Sequence, residues 1–131
     1  GAAQPHARKV ASGAEIIAMG DLARQVPIAP HVSEYIARLV IATHPDADEA
    51  PPSVRQFVRY GSSPRGGQAI VLGAKVNALL DGRYNVSFDD VAAVAGAALR
   101  HRVILNFEGQ AEGVEPDAVI ADLLAHVSPG D

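Results

Sequence analysis

The chain has 131 residues, 48% hydrophobic and 20% charged, a globular balance that suits one domain and excludes a wholly disordered chain. It contains no cysteine, which excludes disulfide scaffolds, zinc–thiolate sites and thiol nucleophiles. Its formal net charge of -4 argues against a dedicated nucleic-acid module, which would present a basic face, but leaves room for a local anion site.

No apolar run approaches the roughly 20 residues that span a bilayer. No charged leader with an apolar core opens the chain, so the expected location is cytoplasmic. Aromatic residues are 5% and tryptophan is absent, so the core must be built from Ala, Val, Ile and Leu. Such residues pack helices closely, and the expected fold is all-α, a small bundle of four to five helices.

In chain order, Gly1-Ala2-Ala3 reads as a tag remnant and residues 4–11 as a polar, frayed lead-in, leaving residues 12–131 as the domain. Ser12 and Glu15 have the spacing of a capping box, and Ile16, Met19, Ala23 and Val26 follow at helical spacing until Pro27. A second helix starts near His31, with Val32, Tyr35, Ile36, Leu39, Val40 and Thr43 stepping by three and four until Pro45. Residues 45–53 carry three prolines and three acids and read as an exposed loop. Residues 54–60 fit either a short helical turn or a strand.

The third helix is predicted from Pro64 to Leu80, with Ala69, Leu72, Val76, Leu79 and Leu80 as its main stripe. Ile70 and Val71 widen that surface, so it is expected to be the most buried helix. Asp81-Gly82 ends it, Arg83 is placed to pair with a nearby acid, and residues 84–86 form an extended link. Ser87 caps a fourth helix with Asp89 and Asp90 in its first turn, where carboxylates suit the helix dipole. Its inner face is Val91, Val94, Ala95, Ala98 and Leu99. Residues 101–107 are ambiguous between helix and strand, and 109–113 read as a loop. Pro116 and Asp117 open a last helix with the stripe Val119, Ile120, Leu123, Leu124 and Val127.

The stretch that carries chemistry is Tyr60-Gly61-Ser62-Ser63-Pro64-Arg65-Gly66-Gly67. A cation in a first helical turn opposes the dipole, at a cost of about 0.3–1 kcal/mol. Each glycine is about 1 kcal/mol worse than alanine inside a helix. Free N–H groups at a helix start, small residues that allow close approach and a forked guanidinium together suit a phosphate. The same residues also fit a solvated arginine on a helix that happens to begin with glycines. No Walker A loop accompanies them: Gly73-Ala74-Lys75-Val76 lies within a helix, with no strand before it. The chain alone is therefore not expected to hydrolyse nucleotide.

The five histidines, His6, His31, His44, His101 and His126, include no pair three or four apart, so no helical metal pair is predicted. They read as capping or solvent-facing side chains. Asp46, Asp48 and Glu49 lack the glycine and distal glutamate of a calcium loop. Arg100-His101-Arg102 fits either dipole compensation at a helix end, chiefly by Arg100 and His101, or a basic contact to another domain.

One ordered set of segments is Gly61-Ser62-Ser63-Pro64-Arg65-Gly66, Ala74-Lys75, Ala78-Leu79-Leu80-Asp81-Gly82-Arg83, Val86-Ser87-Phe88-Asp89-Asp90-Val91 and Leu99-Arg100-His101-Arg102. It resembles the C-terminal lid of MoxR-type AAA+ ATPases over residues 12–128. The resemblance implies an all-α lid bundle and assigns Arg65, in the Gly-x-Ser-Pro-Arg motif, as the sensor 2 residue that reaches the nucleotide's phosphates. Ser63, Pro64 and Gly66 shape the helix start around it. Ser62 and Gly66 each stand where the family more usually has alanine.

The resemblance also implies ATP and magnesium for a parent protein, an upstream AAA+ core and neighbouring subunits of a hexameric ring. It further implies a chaperone-like role in maturing partner proteins, with a von Willebrand A-domain protein among the partners. The magnesium-chelatase ATPase subunit has a related lid. A free-standing helical interaction module is the alternative of a different class.

Overall fold

Among the described residues each helix starts on a Pro or a polar cap. The computed structural model describes residues 4–130. The remnant expected at residues 1–3, and Asp131, lie outside the described residues. Among the described residues are α1 (Gly13–Gln25), α2 (Pro30–Ala42), α3 (Pro52–Phe57), β1 (Val58–Tyr60), α4 (Pro64–Leu80), α5 (Phe88–Leu99), β2 (Ile104–Leu105), α6 (Phe107–Ala111) and α7 (Pro116–His126). The all-α fold class is as expected, but the helix count among the described residues is seven rather than four to five: the short α3 falls where a helical turn or a strand was expected, and α6 where a loop was.

The predicted capping box at Ser12 forms, and the predicted cap at Ser87 turns out to be one as well. Ser12 N donates to Glu15 Oε2 at 2.6 Å, and Glu15 N donates to Ser12 Oγ at 3.2 Å. Ser87 and Asp90 make the same reciprocal pair at the start of α5. α2 buries Val32, Tyr35, Ile36, Leu39 and Val40, the predicted stripe, and Thr43 just beyond it. α7 buries Val119, Ile120 and Leu123, with Val127 at its end.

Residues 54–60 turn out to be both alternatives in succession, the end of α3 and then β1. β1 pairs antiparallel with β2, Val58 opposite Leu105 and Tyr60 opposite Ile104. The expected loop at 109–113 is largely helix α6. Asn106 caps it by accepting the Gly109 N–H at 2.9 Å, and Gly113, at φ +68°, ends it. The expected exposed loop at 45–53 is exposed only at its three acids and Pro52. Ala50 and Pro51 are buried, Pro52 already starts α3, and Arg55 donates to the carbonyls of Ala47, Asp48 and Ala50 at 2.9–3.1 Å.

The largest correction concerns α4. Its buried residues are Gly66, Ile70, Ala74 and Ala78, a row of mostly small residues four apart. Leu72, Val76 and Leu80, expected in its main stripe, are 44%, 39% and 84% exposed, and Ala69 and Leu79 are half-buried. α4 is therefore not buried all round. The physical reason is its neighbour: α5 presents Val91, Ala95 and Ala98, and two small-residue faces approach more closely than two leucine faces can. A Cβ on Gly73 would lie 3.3 Å from Val94 Cβ, which shows how tight that seam is.

α1 departs from expectation in the same way. Of its stripe, Ala23 and Val26 are buried, whereas Ile16 and Met19 are 61% and 60% exposed, with Ile17 and Leu22 beside them.

Candidate functional site

The two ends of α4 carry the polar chemistry. At its C-terminal end the chain closes a Schellman turn: Arg83 N donates to Ala78 O at 2.9 Å and Gly82 N to Leu79 O at 3.0 Å, with Gly82 at φ +72°. That turn aims the Arg83 side chain at the start of α5. Its guanidinium grips Asp90 through both nitrogens, Nη1 to Oδ2 at 2.9 Å and Nη2 to Oδ1 at 2.6 Å, and reaches Asp81 Oδ2 through Nε at 2.8 Å.

Asn77 Nδ2, Ser87 N and Ser87 Oγ also donate to Asp90, at 2.8, 2.8 and 2.9 Å. The Asp90 side chain is 1% exposed. Hydrogen bonds from Arg83 foremost, with those from Ser87 and Asn77, hold its carboxyl well below the usual carboxylate range although burial pushes the other way. Arg83 is shifted up, chiefly by the same Asp90 bonds. First-turn dipole placement thus accounts for Asp89 but understates Asp90, which is the centre of a saturated latch. A shallow cleft of about 730 Å³ lies beside it, and two of the carboxylates that line it, Asp81 and Asp90, are bound to Arg83.

At the N-terminal end Ser63 is the N-cap and Pro64 opens the first turn, yet no side chain caps α4. Arg65 follows and is exposed. The ion pairs among the described residues join Arg24 to Asp21, Arg38 to Glu49, Arg83 to Asp81 and Asp90, and Arg100 to Asp117, and Arg65 takes part in none of them.

The backbone that leads into α4 is anchored from outside. Ser62 N donates to Thr43 Oγ1 at 2.8 Å, and Thr43 Oγ1 donates to Val40 O at 2.6 Å. His44 Nε2 lies 3.0 Å from Ser62 O and, with its proton on that nitrogen, donates to it. Ser62 is fully buried. A Cβ on Gly61 would stand 2.7 Å from Thr43 O and 2.8 Å from the His44 ring, so only glycine fits there. A Cβ on Gly66 would overlap Ser62 Oγ and lie 3.0 Å from Leu99 Cδ2. Gly66 therefore has a packing reason as well as the shaping role expected of it.

Arg100, His101 and Arg102 separate. Arg100 Nε pairs with Asp117 Oδ1 at 3.0 Å between exposed side chains. Arg102 Nη1 donates to Ala98 O at 2.7 Å and also touches the His101 ring. The helix end is thus satisfied by Arg102, the residue that seemed surplus to the dipole, rather than by Arg100. Thr43 and His44 were read as a stripe end and a capping histidine. No local pattern signals their contact with residues 61 and 62, 17 to 19 positions away. No three His, Cys, Asp or Glu among the described residues come together in a way that could hold a metal, and no helix among them is long and apolar enough to cross a membrane.

The family model described as AAA lid domain matches residues 53–123, from α3 into α7. This chain is a MoxR-type AAA lid domain. It is 29% identical over 128 residues to Chaperone MoxR1 of Mycobacterium tuberculosis, covering 98% of this chain and 34% of that protein. It is 33% identical over 98 residues to the uncharacterized protein YeaC of Bacillus subtilis, covering 73% of this chain and 27% of that one. A crystal structure of a protein from Cytophaga hutchinsonii assigned as an ATPase superposes with a TM-score of 0.82 at 30% identity, over 88% of this chain and 35% of that one. The lid domain thus spans about a third of the length of the curated relatives it matches.

Proposed function

We propose that this lid closes over ATP held by the core domain of its parent ATPase, and that Arg65 is the sensor 2 residue that meets the phosphates. The observation that carries this reading is Arg65 itself: an exposed, unpaired guanidinium on the positive end of a 17-residue helix whose start is locked in place. A phosphoryl group would supply the negative charge that this end lacks. Residues 63–66 fit such a group, because Pro64 removes one donor without loss and the buried Gly66 keeps the turn slim. In this reading magnesium and the attacking water are held by the core of the parent.

In the parent, Arg65 would stabilise charge on the transferring group by a forked, charge-assisted contact. The uncovered apolar face of α1, with Ile16, Ile17, Met19 and Leu22, suits packing against another domain, which favours a lid over a free-standing module. The parent is then a cytoplasmic, chaperone-like ATPase, in keeping with the name of its mycobacterial relative, that works as a ring of subunits and matures partner proteins, with von Willebrand A-domain proteins among its partners. Arg100, His101 and Arg102 remain available as a contact to a neighbouring domain through their exposed edges.

The test is ATP turnover of the full-length protein carrying Arg65→Ala, with a loss of about 10–1000-fold expected from removing one transition-state donor. The isolated lid should show no steady-state hydrolysis. Normal turnover of the full-length variant would remove Arg65 from the site.

A further inference from the structure

The entry into α4 is fixed by residues that lie outside the match to the family model, at the end of α2. Ser62 is held at both of its backbone polar groups, its N–H by Thr43 Oγ1 and its C=O by the His44 ring. The Thr43 hydroxyl has one proton and gives it to Val40 O, so its lone pairs point at Ser62 and the direction of the contact is set. Gly61 seats against Thr43 and His44 with no room for a side chain. From Ser62 only two residues lead to Arg65, and their freedom is small: Pro64 has a ring-fixed φ, and Ser63 O already accepts the Gly66 N–H at 2.9 Å. A shift of Ser62 is therefore passed to Arg65 with little loss.

We infer that Thr43 and His44 are positioning residues for Arg65: they pin the Gly61–Ser62 segment to the end of α2 and so set where α4 begins and where the arginine is presented. This inference rests on the phosphate-facing reading of Arg65 given above. It differs from a purely structural role, in which the two side chains merely satisfy a buried backbone. In that case their loss would weaken the fold without acting through the arginine.

The experiment measures ATP turnover of the full-length ATPase in a double-mutant cycle. Thr43→Val keeps the shape of the side chain and removes both of its hydrogen bonds. Its turnover should fall about tenfold, as misplacement of a catalytic contact predicts. Thr43→Ser, which restores the hydroxyl, should return to within about twofold of the unmodified protein. In an Arg65→Ala background Thr43→Val should have no further effect, because the group it positions is gone. His44→Gln, which keeps a donor toward Ser62 O, should stay near normal, whereas His44→Leu should repeat the Thr43→Val result. If Thr43→Val does not fold, the two His44 variants carry the same cycle.

Equal losses with and without Arg65, or normal turnover of Thr43→Val and His44→Leu beside an impaired Arg65→Ala, would overturn the positioning role alone. Normal turnover of Arg65→Ala would overturn the reading of Arg65 on which it rests.

Discussion

The two ends of α4 each carry an arginine, and the two arginines are treated in opposite ways. Arg83, just past the C-terminal end, binds a carboxylate that is 1% exposed and receives donors from three further positions on Asn77 and Ser87. Arg65, at the N-terminal end, is exposed and pairs with no acid among the described residues. A saturated cation holds a fold together, because removing either partner strands a buried charge. An unpaired cation at the positive end of a helix opposes the dipole of its own helix, and under the proposed function a phosphate from outside the domain would offset that. The difference separates the latched end of the helix from the end that the proposed function assigns to the phosphate.

The comparison breaks most easily at Asp90. Asp90→Ala should lower the unfolding free energy of the chain by about 2–4 kcal/mol, less than a fully buried pair would lose because Arg83 keeps contact with water. A denaturation midpoint unmoved by this change would deny the latch its role. The same carboxyl gives a pH signature. Its folded-state pKa lies below its unfolded value, so its contribution is fully present above that value and is lost as pH falls through the range below about 3.9 toward the folded value. Acid titration of stability should therefore be flatter in Asp90→Asn than in the unmodified chain.

The functional end offers a second, smaller effect. Gly66→Ala drives a methyl group into Ser62 Oγ and against Leu99, and should cost about 1–3 kcal/mol. Made together with Ser62→Ala, the same change should cost less than half as much, since the hydroxyl and the methyl compete for one space. Equal losses in both backgrounds, measured by urea denaturation, would assign the crowding to Leu99 instead. This pairing also gives a physical sense to the two small residues: the Ser62 hydroxyl occupies the space that a side chain at Gly66 would need.

The smallest expected effect sharpens the comparison most. Arg65→Ala should leave the thermal stability of the chain within about 0.5 kcal/mol of its starting value, or raise it slightly, because a cation leaves the positive end of the helix dipole. A large loss would make Arg65 a structural residue like Arg83.

Much of this was legible from local pattern. Ser12 with Glu15, and Ser87 as a cap, mark helix starts because a hydroxyl just before a helix can satisfy the free N–H groups of its first turn. The α2 and α7 stripes were legible because large apolar residues at steps of three and four leave no other face to bury. The exposed Arg65 at a helix start was legible from the prolines and glycines around it. Helix α6 was missed although Asn106 is a good cap, because its five residues include a buried glycine and too few apolar positions to show a period.

The sequence by itself determined where the five longer helices begin and end, that the core is aliphatic, and that one arginine is placed against the preference of its own helix, since capping, proline geometry and dipole effects all act within a few residues. Only the tertiary structure decided which face of α4 is buried, and it buried Gly66, Ile70, Ala74 and Ala78 while Leu72 stayed outside, because close approach to α5 rewards small side chains over large ones. Only the tertiary structure brought Thr43 and His44 to Ser62 and thereby fixed the start of α4, because a contact between the end of one helix and the entry to another depends on how the two helices pack.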